Sequence, residues 1–173
     1  MFGTVLVMVL AMSLIPLGDT AGKLMTGLGI APLFVAWSRF ALGAVLLAPI
    51  GGRAAWSGAA YRDWRVWLRA GFIVGGISSI LTALQTEPIA NVFGAFFVGP
   101  ILSYVLSVVL LGERVNLVRS ALLAVGFVGV MLVVKPGFGM APGMGFAMLA
   151  GAFYGSYLTA SRWLAGQVPA QAL

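Results

Sequence analysis

Apolar residues form six long runs along the chain, separated by short connections that contain glycine, proline or charged residues. The runs are Phe2–Leu28, Ala31–Ile50, Trp67–Gln85, Ile89–Leu111, Leu117–Val134 and Met144–Leu164. Apolar stretches of about 18 residues or more are typical of helices that cross a membrane. Since backbone amides cannot stay unpaired in lipid, each run is predicted to be a helix. The pattern predicts an all-α polytopic membrane protein with about six transmembrane helices.

Composition agrees with this pattern and excludes several classes of protein. Hydrophobic residues make up 61% of the chain and charged residues 8%, whereas soluble proteins are about a quarter charged. The chain contains no cysteine and no histidine, so thiol chemistry, disulfides and the commonest metal ligand are absent. No catalytic sequence motif is present either. We therefore expect no enzyme activity, no cofactor and no metal site.

The distribution of cations predicts the orientation in the membrane. The net charge is +6, but the cations lie in short connections beside apolar runs, which argues against a nucleic-acid surface. Arg53, Arg62 and Arg65 fall in the second connection, and Arg114 and Arg119 in or beside the fourth. By the positive-inside rule these connections and the N-terminus are cytoplasmic. The expected location is the plasma membrane, specifically a bacterial inner membrane.

The segment Met8–Gly27 recurs 139 positions later as Ala147–Gly166, and Lys23 recurs as Arg162. Part of this match is expected in a chain rich in Ala, Gly and Leu. Five spans precede the second copy, so that copy must enter the membrane from the opposite side, as in inverted-repeat transporters. We expect a first five-helix repeat at 1–136, a Gly/Pro linker at 137–142, and the first helix of a truncated second repeat at 143–173.

Small and polar residues recur every fourth position in the fourth span. They are Asn91, Ala95, Gly99, Ser103 and Ser107. Such stripes allow helices to approach closely, and helix packing is the favoured interpretation; they are also candidate surfaces for self-association. The alternative is a polar pathway lined by the asparagine and the two serines. Two prolines, Pro16 and the Pro100 of Gly99–Pro100, are expected to kink their spans.

Three charged residues lie inside the first two spans: Asp19, Lys23 and Arg39. An ionised side chain at the bilayer centre costs about 2.5–3.5 kcal/mol, so each should face the protein interior. In a functional interpretation, Arg39 or Lys23 binds an anionic substrate group and Asp19 is a proton or cation site. In a structural one, Asp19 and Lys23 form an i, i+4 ion pair and Arg39 reaches toward the surface or binds backbone carbonyls.

Two acidic residues occur in connections. Glu87 precedes Pro88 in a short outer turn, where we expect it to be solvated. Glu113 follows Gly112, and a helix C-cap with a local ion pair to Arg114 explains this turn. Glu87–Pro88 and Gly112–Glu113, like Pro16 and Gly99–Pro100, are interpreted as structural motifs rather than as parts of a binding site.

The order of several short motifs resembles the EamA-type branch of the drug/metabolite transporter superfamily. These motifs are Trp37-Ser38-Arg39-Phe40, Glu87-Pro88-Ile89-Ala90, Gly99-Pro100, Leu111-Gly112-Glu113-Arg114, and Gly126 and Gly129 ahead of Val133-Val134-Lys135-Pro136-Gly137. The resemblance implies a ten-helix carrier of two inverted repeats. It also implies that Arg39, Glu113 and Lys23 occupy family positions, whereas Asp19 departs from the pattern.

The leading hypothesis is a secondary transporter, or a fragment of one, that moves a small polar or anionic metabolite by alternating access. Its partners would be the lipid bilayer, the substrate and a coupling proton or cation. We expect the cavity to be lined by spans one, three, four and six. The alternative is a non-transporting membrane scaffold or accessory subunit. A reading frame that continues past Leu173 into a second repeat would favour the transporter.

Overall fold

A computed structural model describes residues 2–47, Pro49, 61–134 and 141–168, and every regular element in these ranges is a helix. The helices are α1 (Phe2–Gly27), α2 (Pro32–Leu47), α3 (Trp64–Thr86), α4 (Ile89–Phe96), α5 (Val98–Leu111), α6 (Leu117–Val134) and α7 (Pro142–Leu164). Together α4 and α5 make up the fourth predicted span, so the six-span, all-α prediction is confirmed. Arg53 and most of the predicted 137–142 linker lie outside the described residues.

The lengths of the helices agree with a membrane protein. Trp64–Thr86 and Ile89–Leu111 are long and apolar enough to cross a bilayer, and Pro32–Leu46 and Leu117–Leu132 are shorter apolar helices. Large apolar side chains on α1 and α6 are widely exposed: Val5, Leu6, Val9, Leu10, Leu14, Leu17, Val118, Leu122, Val125 and Val128. Exposed apolar faces of this size are suited to lipid or to further helices rather than to water.

Helix α7 is the central element of the described bundle. It packs antiparallel to α3 along its whole length, with Gly143 beside Thr86 and Glu87 at one end and Trp163 against Trp64 at the other. Helices α4 and α5 pack on another side of α7. Helices α1 and α2 pack on α3, and α6 packs on α4 and α5.

The fourth span is interrupted at Phe97, three residues before Pro100. A proline has no N–H for the carbonyl four residues earlier and its ring clashes with that carbonyl, which here belongs to Phe96. The fourth span is therefore interrupted at Phe97, whose φ of −62° and ψ of −7° stay in the right-handed helical region, and α5 begins at Val98. This interruption lies beside Gly99–Pro100, where the sequence predicts a kink, and α1 carries the other kink-forming proline, Pro16, within a continuous helix.

Glycines permit α5 and α7 to touch through their backbones. A Cβ added to Gly99 would lie 2.7 Å from the carbonyl oxygen of Gly151, and one added to Gly155 would lie 2.5 Å from that of Gly99. These separations leave no room for side chains, which is how small residues let membrane helices gain close contacts. Gly99 of the stripe predicted in span four therefore lies in a helix–helix interface with α7.

Candidate functional site

A buried ion pair joins the first two helices. The Nη1 atom of Arg39 on α2 donates to Oδ1 of Asp19 on α1 at 2.6 Å. The Asp19 side chain is 6% exposed and that of Arg39 is 28% exposed. The guanidinium lies over Gly18, where an added Cβ would be 2.8 Å from Nη2. Glycine at this position therefore gives the guanidinium access to the carboxylate.

The i, i+4 spacing suggested an ion pair between Lys23 and Asp19, but the structure does not contain this pair. Its ammonium instead donates to the backbone carbonyl of Glu87, with Nζ 2.5 Å from the oxygen. Glu87 is the C-cap residue of α3, where the helix dipole concentrates partial negative charge. The partial negative charge at the end of α3 thus takes the place of Asp19 as the partner of Lys23.

Glu87 is buried, with 8% of its surface exposed, and not solvated as predicted. Its side chain lies against Gly143, where an added Cβ would come 2.5 Å from Cγ and 2.8 Å from Oε1. Within the described part of the chain its carboxylate has no hydrogen bond or ion pair. Gly143 belongs to the first turn of α7, whose dipole favours a nearby negative charge. The sequence could not reveal this, because α7 begins more than fifty residues later.

The three polar residues predicted in the fourth span are separated by the structure. Asn91 is exposed, whereas Ser103 and Ser107 are buried against α7. The hydroxyl of Thr159 on α7 lies 3.4 Å from the Ser103 carbonyl oxygen, and Nη1 of Arg162 donates to the Ser107 hydroxyl at 2.7 Å. Both serines therefore lie in the α5–α7 interface.

The turn after α5 adopts the expected cap with a different ion pair. Gly112 has a φ of +66°, a left-handed conformation that glycine accepts readily, and its N–H bonds to the Ser107 carbonyl. Glu113 pairs with Arg162 of α7, at 3.6 Å between Oε2 and Nη1, rather than with Arg114. Sequence reasoning did not list Arg162 among the candidates, although its recurrence with Lys23 was the signal that could have identified it.

A second polar cluster lies where α3 begins and α7 ends. Arg65 binds Asp63 at 2.6 Å and Gln167 at 2.8 Å, and its guanidinium lies over the Trp163 ring. The side-chain and backbone hydrogen bonds from Arg65 lower the pKa of the Asp63 carboxyl from its usual value. Arg69 donates to Ser161 and to the Tyr157 hydroxyl. These contacts fasten α3 to α7 at the predicted cytoplasmic surface.

An open groove of about 490 Å³ lies between α3, α5 and α7. Its lining is mainly apolar and consists of Leu68, Phe72, Leu106, Leu110, Leu111, Ser156, Thr159, Ala160 and Trp163. These residues belong to three of the four spans expected to line the cavity, namely three, four and six. Asp19 and Arg39 are not part of this lining.

The model of the EamA-like transporter family matches residues 2–135. The chain belongs to the EamA-like transporter family. No curated protein and no solved structure matches the chain. Membership makes it a multi-pass membrane protein with the lipid bilayer and a small-molecule substrate as partners, and a transporter rather than an enzyme. The family predicted from its motifs is thereby confirmed.

In this EamA-like transporter, charged groups join helices at three places besides the Arg65–Arg69 cluster. Asp19 and Arg39 join α1 to α2, Lys23 fastens α1 to the end of α3, and Arg162 fastens α7 to the end of α5. The described ranges contain three ion pairs, and Asp19–Arg39 has the most deeply buried carboxylate of the three. It is therefore the candidate substrate or coupling site.

Proposed function

We propose that this protein is a secondary transporter that moves a small polar or anionic metabolite by alternating access. The observation that carries the proposal is the Asp19–Arg39 pair, an acid and a base held 2.6 Å apart inside two transmembrane helices. Ionised groups are costly within a membrane and commonly mark substrate or ion pathways. A pair of apolar residues would fasten α1 to α2 without that cost.

Arg39 is suited to bind the anionic group of a substrate. Its guanidinium carries five N–H donors, one of which is used on Asp19, and 28% of the side chain remains exposed. The planar fork of an arginine matches carboxylate and phosphate oxygens and keeps its charge at every physiological pH. A substrate anion would therefore share or replace the carboxylate of Asp19 at this guanidinium.

Asp19 is suited to couple that event to a proton or cation. When a substrate anion takes over Arg39, the buried carboxylate loses its counter-charge, and an unpaired buried charge is strongly unfavourable. Binding of a proton or a cation to Asp19 compensates the unpaired negative charge of its carboxylate. Substrate binding and ion binding are thereby linked through one guanidinium.

The larger architecture is proposed from the internal repeat. Residues 1–136 form the first five-helix repeat and residues 143–173 begin an inverted second one, and the family match over 2–135 supports the first of these units. Inverted repeats provide the two equivalent arrangements that alternating access needs. We place the N-terminus in the cytoplasm of a bacterial cell and the protein in its inner membrane, from the placement of Arg62, Arg65, Arg114 and Arg119.

The test is uptake of radiolabelled inorganic phosphate and short carboxylates by proteoliposomes that contain the full-length protein. Arg39→Gln should abolish transport of the anion that the wild type takes up, and Arg39→Lys should retain part of it. Arg114→Gln is the matched control, since Arg114 is an exposed arginine in the α5–α6 turn and should leave the rate unchanged. Full transport by Arg39→Gln would remove this residue from the substrate site. Asp19→Asn should abolish the dependence of transport on a pH or cation gradient.

A further inference from the structure

Lys23 and Arg162 occupy corresponding positions in the two copies of the internal repeat. They are 139 residues apart in the sequence, within the segments Met8–Gly27 and Ala147–Gly166. In the structure both residues lie near the C-terminal end of their helix, since α1 ends at Gly27 and α7 ends at Leu164. Each cation therefore lies within about the last turn and a half of its helix.

Each of the two cations binds the C-terminal end of another helix. Lys23 donates to the carbonyl of Glu87, the C-cap of α3. Arg162 donates to Ser107 in the last turns of α5 and lies 3.6 Å from Glu113, two residues beyond that helix. A helix C-terminus carries partial negative charge, so both contacts combine a hydrogen bond with a favourable dipole.

The two contacts lie at opposite ends of the bundle. Helices α3 and α7 are antiparallel, so the end of α3 at Glu87 meets the start of α7 at Gly143, and Trp64 meets Trp163. The 23 residues of α3 span about 35 Å at 1.5 Å per residue. This is close to the thickness of the hydrocarbon core, about 30 Å. One cation therefore acts at each membrane surface.

Between these ends, α5 and α7 cross on glycines. Gly99, Gly151 and Gly155 bring the two backbones together near the middle of α7, and no side chain of these three residues interlocks the helices. Small residues at such a crossing let the two helix backbones approach closely. The geometry therefore combines a close backbone crossing of α5 and α7 with one electrostatic contact at each end of the bundle: Lys23 joins α1 to α3, and Arg162 joins α7 to α5.

We propose that Lys23 and Arg162, which correspond in the internal repeat but bind the ends of different helices, are latches that close opposite ends of the transport pathway. Release of the Lys23–Glu87 contact opens the outer end while the Arg162–Ser107–Glu113 contact holds the inner end closed, and the converse opens the inner end. This inference rests on the proposed function, which requires two alternating openings. It assigns the two cations to gating and leaves substrate binding to Arg39.

Cysteine labelling tests the latches without background, since the chain contains no cysteine. Thr26→Cys reports on the outer end and Thr159→Cys on the inner end, because these threonines are 6% and 5% exposed. The readout is the rate at which a membrane-impermeant maleimide labels each cysteine in the full-length protein in nanodiscs. Lys23→Met removes a hydrogen bond from a charged group, so it should increase labelling of Thr26→Cys about tenfold and decrease labelling of Thr159→Cys. Arg162→Met should do the reverse.

The decrease at the far end distinguishes a latch from a merely structural contact. Local loosening would speed labelling nearby and leave the other end unchanged, which would overturn the proposal. Lys23→Arg should restore the wild-type rates, and Arg114→Met should change neither. Glu113→Gln, which keeps the Ser107 bond, provides a milder inner variant that should shift both rates in the direction of Arg162→Met.

The labelling result is independent of any transported substrate. If the rates respond reciprocally but no anion is taken up by proteoliposomes, the latches stand and the proposed substrate class fails. If Arg39-dependent uptake is found but the rates do not respond reciprocally, the proposed function stands and the latches fail.

Discussion

The α5–α7 crossing is where one added methyl group is expected to be most damaging. A Cβ on Gly151 would lie 2.6 Å from Cγ1 of Val98 and 2.7 Å from the carbonyl oxygen of Phe96, with the Gly99 nitrogen at 3.2 Å. Two of these neighbours are backbone atoms, which cannot turn aside as a side chain can. Gly151→Ala therefore forces the two helices apart.

The size of the effect follows from a matched control on another helix. Gly126 lies within α6 and an added Cβ there meets nothing within 4 Å. Both substitutions gain the same helix propensity, about 0.5–1 kcal/mol, so this gain cancels when the two variants are compared. The difference that remains is the cost of overpacking, about 1–3 kcal/mol. At about 2–4 °C per kcal/mol this corresponds to a melting temperature about 2–12 °C lower for Gly151→Ala than for Gly126→Ala.

Tryptophan fluorescence during heating is the appropriate assay, because Trp163 packs on Trp64 with ring centroids 5.9 Å apart. Unfolding of the α3–α7 pair changes the environment of both rings. Melting curves are recorded for both variants and the wild type in the same detergent. Equal melting temperatures for Gly151→Ala and Gly126→Ala would refute the close backbone contact between α5 and α7.

Three further outcomes are expected. An added Cβ on Gly143 would overlap Oγ1 of Thr86 and lie 2.5 Å from Cγ of Glu87, and these atoms lie too near the backbone to turn aside freely. The melting temperature of Gly143→Ala should therefore fall below that of Gly126→Ala by an amount equivalent to about 1–3 kcal/mol, and equal values would contradict the packing of α7 on Glu87. A double-mutant cycle with Asp19→Asn and Arg39→Gln should give a coupling of about 1–3 kcal/mol in reversible unfolding, and additive effects would contradict the buried pair. Hydrogen bonds from Arg65 lower the pKa of Asp63 in the folded protein. The ionised Asp63 carboxylate therefore stabilises the fold above its unfolded pKa of about 3.9, and this stabilisation is lost as the pH falls through the lower folded pKa. The wild-type melting temperature should therefore drop below about pH 4 more steeply than that of Asp63→Asn.

The helical spans were predictable because lipid imposes a strong local rule. A long apolar run must become a helix, and its ends are marked by Gly, Pro or charge. The kink predicted at Gly99–Pro100 rests on an equally local rule, the missing N–H of proline, and the span is interrupted nearby, at Phe97. The packing stripe in span four was foreseen too, since small residues at every fourth position share a helix face.

The partners of the charged residues were not predictable, because they depend on tertiary contacts. The i, i+4 rule relates Asp19 to Lys23 within one helix, whereas its actual partner, Arg39, lies on the next helix. Glu87 was expected in solvent because it follows a helix and precedes a proline, yet α7 covers it. Arg162 was recognised only as a repeat of Lys23, and its two partners on and beyond α5 became visible in the structure.

The central claim, that this family member is a carrier working by alternating access, is tested most directly by counterflow. Proteoliposomes with the full-length protein are preloaded with the unlabelled anion identified in the uptake panel, and entry of the labelled anion is followed. A carrier that returns across the membrane faster when loaded should make labelled anion enter preloaded vesicles faster than empty ones, with a transient accumulation above the outside concentration. Equal entry into both kinds of vesicle, without that accumulation, would contradict the account.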